Sequence, residues 1–150
     1  MHFLYKKFEE LKNQELYQVL KLRTDVFVVE QNCPYPELDN KDFEAIHVLG
    51  LAGSDLVAVA RILPPGVSYP EWSFGRIATN YQVRGKGVGR ALISHMMDYM
   101  LNNHVGANIR ISAQSHLEQF YAAYGFRATG KNYLEDGIPH LEMLFVSKSQ

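Results

Sequence analysis

The stretch Gly75–Leu92, with the sequence GRIATNYQVRGKGVGRAL, decides how this chain can fold. It begins with apolar and β-branched residues, continues into a glycine-rich turn and ends in the first turn of an amphipathic helix. Gly85, Gly87 and Gly89 leave backbone N–H groups uncovered by side chains, and the positive end of the helix dipole adds to their attraction for an anion. The stretch therefore predicts a strand, a phosphate-binding loop and a helix, in that order.

The composition indicates one globular domain, residues 1–150. Of the 150 residues, 47% are hydrophobic and 21% are charged, and a chain of this length buries roughly 70% of its extended surface. The net charge of −1 gives no overall support for binding nucleic acid or an anionic membrane, whereas Arg84, Lys86 and Arg90 favour a small anionic ligand. The lone Cys33, together with the lack of a long apolar run or signal-peptide pattern, predicts a cytoplasmic protein.

Hydrophobic periodicity predicts a succession of strands and helices along the rest of the chain. Two β-rich runs joined by Gly53-Ser54-Asp55 indicate a hairpin, and Gly125 is placed to end a helix in the left-handed conformation. The predicted strands are 2–7, 47–52, 56–63, 72–79, 107–112, 126–129 and 141–146, and the predicted helices are 9–22, 26–30, 88–101 and 117–124. We therefore expect an α+β fold with α/β/α layers, in which helices cover one mixed, mostly antiparallel sheet.

The spacing of the glycines excludes two common phosphate-binding motifs. A Walker A loop requires Gly-Lys-Ser/Thr, whereas Lys86 is followed by Gly87. A dinucleotide fingerprint requires a third glycine where Arg90 stands, and an acidic residue about 20 positions further on, where Val105 stands. The pattern that remains is Gln82-x-x-Gly85-x-Gly87, extended by Gly89.

This pattern resembles the coenzyme A pyrophosphate loop of the GCN5-related N-acetyltransferases (GNAT). The run Phe120–Phe126, FYAAYGF, is similar to the second signature of the same superfamily and follows the first in the same order. The segments Leu22–Gln31 and Cys33–Tyr35, together with Tyr133–His140, look like the ElaA branch of that superfamily. These resemblances cover most of the chain.

The resemblance implies that acetyl-CoA, the acyl donor, lies in a V-shaped gap where the fourth and fifth strands, those of Ile77–Thr79 and Ile109–Ser112, splay apart. Backbone groups of the first of these strands would pair with pantetheine like an added strand. Backbone N–H groups of the loop would hold the pyrophosphate, so that the side chains of Arg84 and Lys86 either contact phosphate or remain solvated. The candidate donor-binding residues are Ile77, Ala78, Thr79, Arg84, Gly85, Lys86, Gly87, Val88, Gly89, Arg90 and Gln114.

Tyr121 falls on the tyrosine of the second signature, and the resemblance implies that it protonates the departing thiolate. A phenol with a pKa of about 10 is a reasonable proton donor to a thiolate, whose thiol has a pKa of about 8.5. The alternative role for Tyr121 is packing in the core. A backbone N–H of the strand before the loop can polarise the thioester carbonyl.

The base and the acceptor stay open at this stage. Histone-type members carry a glutamate where Ser73 stands here. Candidates to face a primary amine of a small molecule or peptide are Glu30, His47, Glu71 and His140. A chain of water molecules is the alternative to a side-chain base.

Two other functions compete with N-acetyl transfer. The segment Arg23-x-x-Val26-Phe27 is also similar to acyl-homoserine-lactone synthases, which implies a longer acyl chain, and a non-catalytic acyl-CoA sensor is the third alternative. No metal is expected, because the remaining histidines show no paired ligand spacing. Cys33 is predicted to be a small buried apolar group. Tyr69, Trp72 and the last strand are candidates for a homodimer interface.

Overall fold

The computed structural model describes residues 1–148, and its strands and helices alternate along the chain. Short 3₁₀ turns occupy residues 8–10, 41–43, 81–83 and 115–117. The strands are β1 His2–Lys7, β2 Ile46–Ala52, β3 Asp55–Leu63, β4 Ser73–Thr79, β5 Ile109–Gln114, β6 Arg127–Glu135 and β7 Ile138–Phe145. The helices are α1 Asn13–Thr24, which continues directly into a π-helical turn Asp25–Glu30, α2 Val88–Asn103 and α3 Glu118–Ala122.

The strands form two antiparallel groups that meet at one point. The first group has the order β1-β2-β3-β4 and the second the order β5-β7-β6. Within residues 1–148 a single parallel bridge joins them, where the Trp72 N–H donates to the Asn108 carbonyl (3.1 Å) and the Arg110 N–H donates to the Trp72 carbonyl (2.8 Å). Beyond this bridge β4 and β5 diverge. The α+β class and the splayed, mostly antiparallel sheet are thus confirmed.

Helices cover both faces of the sheet, as the layer prediction requires. The apolar side of α2 packs against one face together with residues from both strand groups, including Val48, Ile62 and Ile111. The α1 helix packs its apolar residues against the opposite face, on Leu49 and Val59. Neighbouring residues such as Val48 and Leu49 point to opposite sides because side chains alternate along a strand. The α2 helix therefore spans the splay and ties the two groups together.

A β-bulge in β4 reverses this alternation. Phe74 packs on the α2 side of the sheet, whereas Ala78, four residues later, packs on the α1 side. An even separation would keep both on one face in a regular strand, but the pairing with β3 shifts between Val59 and Arg61. Arg76 adopts a left-handed backbone conformation, φ 47°, at this point. The extra residue bends β4 and re-aims its side chains.

Several boundaries differ from the sequence prediction. Helix α1 begins at Asn13 rather than residue 9, because the Glu15 carboxylate caps it by accepting from the Lys12 N–H (2.8 Å). Strand β6 has nine residues rather than the predicted four. The prediction was too short because the strand is mostly exposed and carries polar residues that usually indicate a loop. The third helix shortens to five residues, although Gly125 has the expected positive φ, 105°.

Three further expectations about individual residues are corrected. Cys33 is half-exposed rather than buried. The Trp72 ring stacks on His104 at 4.0 Å between ring centroids, and Tyr69 is half-buried, so neither is the exposed surface residue that the dimer hypothesis assumed. The homodimer itself stays a prediction. None of the helices in residues 1–148 combines the length and apolar character needed to span a bilayer.

Candidate active site

A cavity of about 880 Å³ opens where β4 and β5 diverge. Strands β4 and β5, helix α3, the π-helical turn, the segment that contains Glu37 and Lys41, residues 68–69 and the β6–β7 turn all contribute to its lining. Its volume lies within the range of small-molecule sites, roughly 300–1,000 Å³. On the β5 side, the residues of β4 beyond Trp72 have no partner strand within residues 1–148. An extended ligand can therefore pair with this free edge.

The glycine-rich loop lies at one end of the cavity, after the last residue of β4. Gly85 and Gly87 both have φ 79°, a backbone conformation that residues with side chains rarely adopt. A Cβ atom at either position would meet no atom within 4 Å, so these glycines serve the backbone conformation rather than close packing. Gly87 is the N-cap of the 16-residue helix α2. The geometry is that of an anion-binding helix N-terminus.

The predicted donor-binding residues divide into two sets. Gly85, Lys86, Gly87 and Val88 lie outside the cavity lining, between the lining residues Arg84 and Gly89. The others line the cavity directly, and these are Ile77, Ala78, Thr79, Arg84, Gly89, Arg90 and Gln114.

The two arginines of the loop have different surroundings. Arg84 Nη1 donates to Glu30 Oε2 at 2.6 Å, and Arg84 Nη2 donates to the Thr79 carbonyl at 2.8 Å, so this guanidinium already ties the loop to the π-helical turn. The Arg90 guanidinium lies over the Phe120 ring, 5.3 Å from its centroid. Among residues 1–148 it has no carboxylate within 4.0 Å. Arg90 is therefore better placed than Arg84 to meet a phosphate.

Tyr121 on α3 belongs both to the core and to the cavity wall. Its side chain is packed against Phe74 and Phe126, and the residue is 6% exposed. It also lines the cavity. Burial raises the pKa of Tyr121 to about 12, because the charged phenolate is poorly solvated there. The phenol is protonated at neutral pH, as a proton donor must be.

The four candidates for the acceptor side separate in space. Glu30 and His140 line the cavity, but Glu71 and His47 do not. Glu71 precedes β4 and forms an ion pair with Arg110 (2.8 Å), which itself also binds Glu142. His47 is buried and lies within hydrogen-bonding distance, 2.9 Å, of the Asp42 carbonyl. Glu71 and His47 thus make structural contacts outside the cavity lining, and the structure does not bring them together with Glu30 and His140.

A buried charge network forms the wall of the cavity next to α1. Arg23, which is 1% exposed, donates from Nε to Glu37 Oε2 (2.8 Å) and from Nη1 to Asp42 Oδ1 (2.7 Å). Arg61 on β3 also donates to Asp42 (3.0 Å) and pairs with Asp39. These contacts hold the loop of residues 37–42 against the sheet.

The same network reaches the bulge in β4. The Arg76 guanidinium pairs with Glu37, with Nε 3.0 Å from Oε2, and it lies over the Phe27 ring, 4.0 Å from its centroid. Burial alone would raise the pKa of Asp42, but hydrogen bonds and charges from Arg23 and Arg61 outweigh burial and lower it. Three arginines and three carboxylates thus neutralise one another.

A second polar chain lies on the opposite wall. The Tyr133 hydroxyl donates to Ser112 Oγ (2.7 Å), and Ser112 Oγ donates to Glu135 Oε1 (3.1 Å). His140 Nε2 lies 3.5 Å from Glu135 Oε2. Ser112, Glu135 and His140 all line the cavity. Within residues 1–148, no three His, Cys, Asp or Glu side chains are arranged to hold a metal ion.

The family model described as an acetyltransferase (GNAT) domain matches residues 40–146 of this chain, more than half of its length. The chain belongs to the GNAT family. This membership supports acyl transfer from an acyl-CoA as its general activity, and it confirms the resemblance on which the sequence prediction depends.

Two relatives cover almost the whole chain. A crystal structure of an acyl-CoA N-acyltransferase from Pseudomonas aeruginosa is 35% identical, covers 97% of this chain and 99% of that chain, and superposes with a TM-score of 0.91. ElaA of Escherichia coli is 39% identical over 89% of each chain, and its crystal structure, which covers 96% of this chain and 98% of that chain, gives a TM-score of 0.88. A CoA-dependent acyl-homoserine lactone synthase, 18% identical with a TM-score of 0.70, covers 91% of this chain and 80% of that chain and shows the shared fold alone.

Sequence reasoning missed the charge network of this GNAT protein. The acidic segment that supplies Glu37, Asp39 and Asp42 has the composition of a solvated loop. Its partners Arg23, Arg61 and Arg76 are 14 to 39 residues away in the sequence. The available signal was that Arg23 falls on the apolar face of a helix and Arg61 within an apolar strand, because buried arginine requires a carboxylate partner.

Substitution of Arg23 by Met should destabilise the fold strongly. The variant leaves Glu37 and Asp42 buried with one guanidinium partner each instead of two. We therefore expect a loss near the lower end of the range for broken buried ion pairs, about 3 kcal/mol of unfolding free energy. Urea denaturation followed by circular dichroism measures it.

Lys21→Met is the matched control, two residues earlier on the same helix. The Lys21–Asp25 ion pair is exposed, with side-chain exposures of 63% and 48%. Solvent screens such a pair, so the urea midpoint should hardly change. Equal midpoint losses in the two variants would contradict a special role for Arg23.

The buried His47 should make stability depend on mildly acidic pH. Burial is the main cause that lowers the pKa of His47 below the usual histidine value of 6.5, and a proton on its unpartnered Nδ1 would add a buried donor without an acceptor. The unfolded chain therefore binds more protons just below pH 6.5, and stability decreases as pH falls from 6.5 toward the folded-state pKa.

The measurement is the urea midpoint between pH 7 and pH 5. His47→Leu should be less stable at pH 7 but should lose less stability on acidification than the wild type. His2→Leu removes an exposed histidine instead and serves as the control. If all three proteins show the same slope with pH, His47 does not carry the effect.

Proposed function

We propose that the protein transfers an acetyl group from acetyl-CoA to a primary amine of a small molecule or peptide, by direct attack in a ternary complex. The observation that carries the proposal is the free edge of β4, which runs from the glycine-rich loop along the cavity that Tyr121 lines. This edge, a phosphate-binding loop and a protonated phenol are what the transfer requires. Membership of the GNAT family supports the same conclusion.

The donor would lie along β4 with its pyrophosphate at the start of α2. Backbone N–H groups of residues 84–89 would hold the phosphates, and the free Arg90 guanidinium would add charge. Backbone groups on the free edge of β4, such as those of Ile77, would bind the pantetheine amides and direct the thioester towards Tyr121. A backbone N–H of the same strand would polarise the carbonyl.

The reaction then needs one acid and one route for the amine proton. The amine nitrogen bonds to the acyl carbon, the C–S bond breaks, and Tyr121 gives its proton to the departing sulfur. The nitrogen loses one proton before attack and a second as the amide forms, and the second restores the Tyr121 phenol. Water or a carboxylate on the acceptor side of the cavity can take up the first proton.

Binding and turnover can be tested in sequence. With acetyl-CoA at 100 times its Kd, stabilisation of about 2.7 kcal/mol should raise the melting midpoint by roughly 5–11 °C. Arg90→Gln should reduce this shift, whereas Lys131→Gln, an exposed cation on β6 away from the cavity, should not. Release of free thiol with a panel of amines then reports transfer. No midpoint shift in the wild type would exclude acetyl-CoA as the donor.

Two outcomes would favour the alternative functions. A midpoint shift without thiol release from any amine would favour the acyl-CoA sensor. Faster turnover of long acyl-CoAs than of acetyl-CoA would favour transfer like that of the acyl-homoserine-lactone synthases. Fractionation of cells that express the protein tests the cytoplasmic location, which stays a prediction.

Tyr121→Phe should lower kcat and leave acetyl-CoA binding intact. The change removes only the hydroxyl, and general acid catalysis contributes about 10²–10⁴-fold. Tyr124→Phe is the matched control, because Tyr124 is three residues later and does not line the cavity. An unchanged kcat in Tyr121→Phe, or a loss confined to acetyl-CoA affinity, would assign Tyr121 to packing alone.

A further inference from the structure

Most charged side chains that line the cavity neutralise one another. Arg61 pairs with Asp39, Arg76 with Glu37, and Arg84 with Glu30. Two cavity-lining residues of the Lys/Arg type have no carboxylate within 4.0 Å among residues 1–148, and they are Arg90 and Lys41. Each of them is a cation available to a ligand.

The two free cations lie towards different ends of β4. Arg90 follows the glycine-rich loop, beyond Thr79 at the end of the strand. The Lys41 N–H donates to Asp39, whose partner Arg61 lies opposite Gly75. Gly75 and Thr79 lie on either side of the bulge and pair with Arg61 and Ala58, which are three residues apart on β3, roughly 10 Å. Arg90 is therefore placed for the phosphates of the donor, whereas Lys41 faces the part of the cavity that the acceptor would occupy.

The surroundings of Lys41 are prepared for an anion. The residue is half-buried, and its Nζ donates to Ser68 Oγ at 2.8 Å, which leaves two of its three N–H groups unused. Ser68 lines the cavity beside it. Partial burial of an ammonium group without a counter-ion is unfavourable, and an anionic group of the ligand would offset that cost.

The opposite wall offers the complementary charge. Glu135 accepts a hydrogen bond from Ser112 and lies next to His140, while Asp136 has no cationic partner within 4.0 Å among residues 1–148. Both residues are exposed and line the cavity. The acceptor region therefore has a cation without a carboxylate partner, Lys41, on one wall. The other wall has two carboxylates, Glu135 and Asp136, that are not fully neutralised.

We propose that the acceptor is a primary amine that also carries a carboxylate, such as an amino acid or a short peptide. Its carboxylate binds Lys41 and Ser68, and its ammonium group lies against the carboxylates of Glu135 and Asp136. The proposal rests on the proposed function and names the class of acceptor. The first proton of the ammonium group passes to Glu135 or water, and the remaining steps are those of the transfer described above.

Matched pairs of acceptors test the inference. Each pair consists of an ω-amino acid and its primary amide. The carboxylate or amide group is far from the amine, so the amine is nearly equally basic in the two compounds. Dipeptides and their C-terminal amides extend the panel to peptides. They show whether the acceptor is an amino acid or a peptide. We expect kcat/KM, measured by thiol release, to be at least 10-fold higher for the acid than for the amide.

Lys41 variants assign that preference to one side chain. Lys41→Met should lower kcat/KM for the acid to about the value for the amide and so abolish the preference. Lys41→Gln can keep the hydrogen bond to Ser68 without the charge, and it should lose the preference as well. Lys131→Met is the control outside the cavity and should retain it. Asp136→Asn should raise the KM of both members of each pair.

The outcomes also separate this inference from the proposed function. Equal turnover of acids and amides, or no thiol release from any acid of the panel, would overturn the inference while the acetyl-CoA midpoint shift persists. A Lys41→Met variant that slows acids and amides equally would also overturn it. Loss of the midpoint shift itself would instead overturn the proposed function.

Discussion

The departure of β4 from regular strand geometry is the constraint on which the rest of the structure depends. Arg76 holds a left-handed backbone conformation that costs a residue with a side chain on the order of 1–3 kcal/mol. The bulge turns Ala78 toward α1, while Phe74 stays on the α2 side of the sheet. Because β4 bends here, its edge separates from β5 and a cavity opens in the middle of the sheet.

The side chain of Arg76 helps to hold the strained backbone conformation of the same residue. The Arg76 guanidinium binds Glu37 and covers the Phe27 ring, and Glu37 is held in turn by Arg23. Buried ion pairs add little stability relative to apolar packing, but each member fixes the position of the next. The network therefore couples the bulge to residues 37–42, an irregular segment that would otherwise have few contacts to define it. One wall of the cavity and the bend in β4 thus depend on the same set of charges.

The sequence predicts the parts of this fold that local patterns govern. Alternation, the glycine spacing and the FYAAYGF signature indicate the strands, the loop and the position of Tyr121. The bulge was not predictable, because nothing around Arg76 distinguishes it from a regular strand residue. Strand β6 was underestimated since an exposed strand has no apolar alternation. Glu71 was placed in the acceptor set by extending the strand backward, but β4 begins at Ser73 and Glu71 pairs with Arg110.

The burial of Tyr121 does not conflict with the acid role that we propose for it. Burial raises the pKa of the phenol to about 12, which taken alone makes it a weaker acid toward a thiolate. The departing sulfur would lie in the same poorly solvated region, and desolvation disfavours its anion too. Both pKa values then rise, so the difference between them, which governs proton transfer, stays smaller than the shift of the phenol alone implies. Packing against Phe74 and Phe126 can therefore orient the hydroxyl without removing its capacity to donate a proton.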